Sequence, residues 1–234
     1  TVSFNLRGCS GEDNLLLPTY HSGKTEDLDF IINYLIENYS YDKIMVVGYS
    51  LGGNMTLKYF GEHVKTISDK VSCGVAISVP VDLASSSRIM GTSKNKIYMY
   101  KFLRSLRKKI LIKNQKYPDF KLDIKKLLKS KTFKEFDGLY TAPVSGFSGP
   151  EDYWEKASSK PYLTSIKKPV LLITSSDDPF LAEECYPIKE AENSNYFYLE
   201  ISKHGGHVGF ISSMFSKKNR WLENRILQFI KDND

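Results

Sequence analysis

The sequence predicts an α/β fold: a mostly parallel sheet flanked by helices, with a helical insertion. Three observations predict it. Five short apolar, β-branched runs alternate with segments of helical periodicity. A glycine-bracketed serine, in VVGYSLGGN, stands at one strand-to-helix junction. The span 84–168, between the third and fourth runs, is basic and carries its own helical pattern. A chain of 234 residues, 41% of them hydrophobic, can bury a sizeable core.

The five strand candidates are residues 2–6, 43–48, 74–80, 169–174 and 196–201. The first opens the chain with no initiator methionine ahead of it. A strand cannot bury itself alone, so this one is expected at a sheet edge or with further sequence before it. Next comes TEDLDFIINYLIEN, in which Thr25 is placed to cap a helix and Glu26 and Asp27 suit its first turn. Leu28, Ile31, Ile32, Leu35 and Ile36 recur on one face. Further helices are expected over 51–62 and 219–231, and such alternation implies right-handed crossovers in a parallel sheet.

The net charge of +6 conceals an asymmetry: residues 84–168 hold 20 Lys and Arg against 7 Asp and Glu, and the remainder is acidic. In NKIYMYKFLRSLRKKILIK, Met99, Phe102, Leu103, Leu106 and Ile110 share a helical face, with Lys101, Arg104, Arg107, Lys108 and Lys109 around it. So long a span is an insertion with helices rather than a loop. The expected division is a core over 1–83, a basic helical cap over 84–168, and core again over 169–234. No run of about eighteen apolar residues that could span a bilayer is present. Nor is there a signal-peptide pattern. Cys9, Cys73 and Cys185 are odd in number and far apart, which fits a reducing, cytoplasmic setting and no zinc site.

Gly48-Tyr49-Ser50-Leu51-Gly52 fits G-x-S-x-G, a turn that lifts a serine out of a strand while small residues on either side let strand and helix approach. A serine hydroxyl needs a general base, and the base an orienting carboxylate. Of the four histidines, His207 lies in the glycine-rich loop KHGGHVGF after the last strand, with His204 three residues earlier as its competitor. His63 is expected at an exposed helix end and His21 in a loop. LLITSSDDPF ends a buried strand in two aspartates; Asp178 precedes a proline that fixes a turn, and Asp177 is the alternative.

The stretches NLRGCSGEDN, YHSGKTEDLDFIINYL, VGYSLGGN, FKEFDGLYTAP, DDPF and HGGHVGF together resemble the YheT-like branch of the α/β-hydrolases, in order and through essentially the whole chain. The resemblance implies a Ser50–Asp178–His207 triad, a hydrolase sheet with a helical cap, and carboxylic-ester substrates such as acylglycerols, short- or medium-chain esters or phospholipids. It implies no cofactor or metal. It also implies N-terminal strands and an H-G loop before the first residue, so that one oxyanion donor is the N–H of Leu51 and the second lies outside the chain.

The resulting expectation is a serine hydrolase cleaving carboxylic esters through an acyl-enzyme. An acyltransferase or thioesterase on the same fold is the alternative, and a non-catalytic binding module ranks below it. The basic cap suits peripheral contact with an anionic membrane. No nucleic-acid-binding motif appears, and the aromatics follow core periodicity.

Overall fold

The computed structural model describes residues 1–211 and 220–233. It holds two compact units: Ser22–Asp82 with Ser158–Asp234, and Thr1–His21 with Leu83–Ala157.

The first unit is built on a sheet of four parallel strands in the order β1 (Ile44–Tyr49), β2 (Val71–Ile77), β3 (Val170–Ser175) and β4 (Phe197–Ser202). Every residue of β3, VLLITS, is buried, and six of the seven in β2 are. Covered on both faces, these strands read as unbroken apolar runs, as parallel strands do. Helix α1 (Thr25–Asn38) precedes β1, and helix α2 (Leu51–Glu62) makes the crossover to β2. The closing helix, Trp221–Asp232, sets Leu222, Ile226 and Phe229 at helical spacing against Cys73, Val75, Ile77, Leu171 and Ile173. Burying each large apolar side chain stabilises the fold by about 1.5–3 kcal/mol, so this stripe secures one face of the sheet. The expected start of that helix, residue 219, lies outside the described residues.

Several local expectations change. Residues 2–6 form no strand and are exposed except for Leu6, because an extended segment becomes a strand only when its backbone groups find a ladder. The third expected strand begins earlier, at Val71, and ends at Ile77, where Ser78 turns to φ 52°. Thr25 does not cap α1. It is the first helical residue, and its hydroxyl donates to Glu62 Oε2 at 2.7 Å. Glu62 also takes the ammonium of the buried Lys58 at 2.7 Å. Burial raises the Glu62 pKa, but the bonds from Lys58 and Thr25 outweigh it and leave the carboxyl below its usual value.

The second unit is helical. It contains α3 (Leu83–Met90), the long α4 (Lys96–Lys116) and several shorter helices. One core joins Leu83, Ala142, Tyr153, Trp154 and Ala157. Met99, Leu103 and Ile110 of α4 are buried as the periodicity requires, whereas Phe102 stays 44% exposed, with its ring 6.0 Å from that of Phe133. The first 21 residues group with these helices rather than with the sheet, unlike the division at residue 84 read from the sequence. Lys113, wholly buried, donates to the carbonyls of Asn14 (2.7 Å) and Leu16 and meets Asp13 at 3.1 Å. Tyr140 donates to the carbonyl of Leu17 at 3.0 Å. The second boundary moves as well, to Ala157, and the segment after it belongs with the sheet.

Asp137 begins a π-helical turn, Asp137–Thr141. Its carboxyl accepts Trp154 Nε1–H at 2.9 Å and the Thr141 hydroxyl at 2.7 Å, yet burial pushes its pKa up to about 6 against both bonds. The folded chain therefore keeps a proton that the unfolded chain loses near 3.8, and this group's contribution to stability falls as pH rises from 3.8 to about 6. Asn at this position can accept from Trp154 and donate to Thr141. Urea unfolding across that range should show a shallower decline for Asp137→Asn than for the parent chain; identical slopes would mean that the carboxyl titrates normally.

Candidate active site

The site begins at the end of β1. Ser50 has φ 50° and ψ −115°, a left-handed conformation that a residue with a Cβ adopts only when its surroundings enforce it. Two backbone bonds enforce it here: Ser50 N–H donates to Ile77 O at 2.8 Å, and Asn54 N–H to Ser50 O at 3.0 Å. Close approach of α2 does the rest. A Cβ on Gly48 would collide with the backbone of Gly52 and stand 2.5 Å from Thr56 Oγ1, and one on Gly53 would stand 2.5 Å from Val79 Cγ2. A Cβ on Gly52 would meet nothing within 4 Å, so the tight glycines are Gly48 and Gly53 rather than the motif's outer pair. Asn54, fully buried, ties the helix to two other segments: it donates to Ser22 O and accepts from Ser159 N–H, both at 2.9 Å.

His207 reaches this serine from the loop after β4. Its Nε2 lies 2.9 Å from Ser50 Oγ, and its Nδ1 lies 2.8 Å from Asp178 Oδ2. With Nδ1–H donating to the carboxylate, Nε2 is left as the acceptor for the serine hydroxyl. The Asp178 side chain is fully buried and that of His207 is 16% exposed. Asp178 spends its other oxygen on Phe180 N–H at 2.9 Å, which closes the turn after β3 and fixes the carboxylate. The Phe180 ring lies 4.5 Å from the imidazole and shields it.

Asp177, the alternative acid, faces elsewhere. Its Oδ1 accepts Gly205 N–H at 2.9 Å and Gly206 N–H at 2.8 Å, and His204 Nδ1 stands 3.5 Å from Oδ2. The Gly206 bond, with smaller help from Ser175, Gly205 and His204, holds its carboxyl below the usual range. The two adjacent aspartates thus divide the work: one contacts the imidazole and the other clamps the backbone that carries it. Ser175 adds a second clamp, donating to Gly206 O at 2.7 Å. Gly206 itself sits at φ 59°, and a Cβ on Gly205 would strike the Phe210 ring at 2.7 Å. Asn54, Ser175 and Phe180 carried no signal in the sequence beyond standing beside the motifs.

The remaining histidines are apart from this chain of bonds. His63 ends α2 against the Tyr59 ring at 4.8 Å, and His21, in the helical unit, stands edge-on to Phe147 and Tyr153. Leu51, at the first position of α2, presents an N–H of the kind that has no intrahelical partner. A hydroxyl aligned on an imidazole, beside helix-start N–H groups, is an arrangement suited to nucleophilic attack on a carbonyl.

Residues 1–213 match the model of the alpha/beta hydrolase fold family. The chain belongs to that family. It is 34% identical over 226 residues to YheT of Escherichia coli (strain K12), named as a candidate esterase, covering 96% of this chain and 66% of that one. It is 29% identical to the monoacylglycerol lipase of Saccharomyces cerevisiae, covering 97% of this chain and 51% of the relative. Human phospholipase ABHD3 is also 29% identical, with 98% and 56% covered. The chain thus spans about half to two thirds of the length of these relatives. Among solved structures, the Pyrococcus furiosus esterase Pf2001 superposes with a TM-score of 0.58 over 98% of this chain and 69% of its own, at 19% identity, a likeness of fold.

The clamp makes a prediction that needs no substrate. Replacing Asp177 with Ala should speed hydrogen exchange at the Gly205 and Gly206 amides by on the order of tenfold or more, with β4 unaffected. Unchanged protection of those two amides would remove Asp177 from this role.

Proposed function

We propose that the chain is the catalytic part of a serine hydrolase that cleaves carboxylic esters, with Ser50 as nucleophile, His207 as general base and acid, and Asp178 as the group that orients the ring. The reading rests on one observation: the continuous run from Ser50 Oγ through the imidazole to a buried carboxylate, at 2.9 and 2.8 Å. Ser50 attacks the ester carbonyl as His207 Nε2 takes its proton. Asp178 stabilises the imidazolium, and the Leu51 N–H faces the developing oxyanion. The alcohol leaves with the proton from His207, and water repeats the sequence on the acyl-enzyme. The relatives' names point to acylglycerols and phospholipids as the substrate class, and short- and medium-chain acyl esters belong to the same reading.

Supporting a surface-bound substrate is the outward face of α4. Ile97 (72% exposed), Tyr100 (59%) and Ile112 (44%) stand there among exposed Lys101, Arg104 and Lys108. Apolar side chains with interspersed cations fit the interface of an anionic membrane, where each cation contributes about 1 kcal/mol. Cys9, Cys73 and Cys185 are free thiols, which agrees with a reducing compartment on the cytoplasmic side.

Three measurements test these readings. A fluorophosphonate should label Ser50 alone, and Ser50→Ala should lower ester turnover on the order of 10⁴–10⁶-fold; a variant that keeps most of its activity would end the triad assignment. Sedimentation with vesicles should show binding to anionic lipid, weakened by Lys101→Glu with Lys108→Glu. Equal binding to neutral vesicles would end the membrane assignment.

A further inference from the structure

Outside the triad, the helical unit brings together one nucleophilic pair that no part of the proposed reaction uses. Cys9 lies in the turn RGCSG, between Gly8 at φ 69° and Gly11 at φ 97°, with its N–H donating to Leu6 O at 2.9 Å. It is exposed, whereas Cys73 and Cys185 are buried. Lys109 Nζ stands 2.8 Å from its sulfur. The same amine lies 4.9 Å from the centroid of the Tyr20 ring, which fixes the side chain from its other side.

The pair is held rather than casual. One helical turn along α4, Lys113 grips the carbonyls of Asn14 and Leu16 together with Asp13, and Lys116 meets Asp13 at 2.9 Å. Burial raises the Asp13 pKa, but the bonds from Lys116 and Lys113 more than reverse this and hold the carboxyl below its usual range. The loop 8–16 is therefore laid along one side of α4, with its thiol seated on Lys109. Two groups already in contact react with the advantage of an intramolecular step.

We propose that Cys9 and Lys109 form an oxidation-dependent covalent link, a modification site in which a hydroperoxide couples the thiol to the amine. The Cys9 thiolate attacks the terminal oxygen of the hydroperoxide; an S–O bond forms as the O–O bond breaks, and the leaving alkoxide (hydroxide, for hydrogen peroxide) is protonated to the alcohol (or water). Sulfur loses two electrons and the peroxide gains them. The neutral Lys109 amine then attacks the sulfenic sulfur. An S–N bond forms, the S–O bond breaks, and water leaves with the amine proton. The product is a sulfenamide, the condensation known for sulfenic acids and nitrogen nucleophiles, here with a side-chain amine. A thiol reductant returns the free thiol and amine. Because the linked residues are 100 positions apart, the bond would fasten the N-terminal segment to α4.

The test uses the intact chain, treated with hydrogen peroxide and digested with a protease that does not cut at lysine. Mass spectrometry should find the peptides of Cys9 and Lys109 joined, lighter by two hydrogen atoms than their sum, and separated again by dithiothreitol. Cys9→Ser and Lys109→Gln should each abolish the joined species. Lys108→Gln, its neighbour changed instead, should retain it. Circular dichroism shows whether each variant is folded. Oxidation of Cys9 to sulfinic or sulfonic acid with no joined peptide in the folded parent chain would overturn the proposal, as would a link that survives Lys109→Gln.

Discussion

Everything at the candidate site depends on the left-handed backbone of Ser50. Such a conformation costs on the order of 1–3 kcal/mol in a residue that carries a Cβ, so it must be imposed. The imposing structure is larger than the turn. Ile77 O and Asn54 N–H bind the two sides of the serine peptide, while nine successive residues of α2, Gly53 to Gly61, are buried between the sheet and the segments packed over it. Moving Ser50 into an ordinary conformation would lift α2 off that surface. The burial of one helix thus offsets the strain at one residue, and the hydroxyl projects from the strand end as a consequence.

Parallel pairing then decides which groups can meet. With β1 to β4 all running in one direction, their C-terminal ends lie along one edge of the sheet, where open α/β sheets collect their ligands. Ser50 follows β1, Asp177 and Asp178 follow β3, and the histidine loop follows β4. The chain turns directly after β3, with Asp178 N–H donating to Ser175 O, so the neighbouring aspartates face different groups and acquire different tasks. Asp178 is buried beneath the imidazole, and Asp177, at the surface, binds the glycine amides. The serine directly follows β1 and the carboxylate stands in a short turn after β3. The histidine comes from a loop, so it is the member that needs clamping, and Ser175 and Asp177 both close on Gly206.

What the sequence made legible is what local chemistry determines. The turn at Ser50 is written in five consecutive residues, and the strands β2 and β3 in short apolar runs. The buried stripe of α4 follows from spacing, as Met99, Leu103 and Ile110 show. Pairing between distant positions is not written locally. The hydroxyl of Thr25 had a plausible partner in its own helix, yet it donates to Glu62, 37 positions on. Residues 2–6 have the composition of a strand and no ladder to join. The G-x-S-x-G pattern names Gly52, but the packing constraint falls on Gly53, because contact with Val79 depends on how α2 crosses the end of β2. The grouping of the first 21 residues with the helices rests on bonds such as Tyr140 to Leu17, and no window of sequence contains both partners.

The positive charge of the helical unit illustrates the same limit in energetic terms. Composition counts every lysine of α4 alike, but the helix sorts them by face. Lys101, Arg104 and Lys108 point outward, while Lys113 has no exposed side chain at all. An ammonium taken out of water costs several kcal/mol unless its donors are satisfied and its charge is opposed. Two carbonyls and Asp13 do this for Lys113, and Lys116 shares the same carboxylate. That requirement explains why an acidic, glycine-rich N-terminal stretch lies on a basic helix: it supplies the acceptors that allow the inner lysines to be buried. The surplus charge therefore has two origins. Part of it holds the N-terminal segment in place, and part, on the opposite face of α4 and at exposed positions beyond it such as Lys125, Lys129 and Lys131, is available to an external anion.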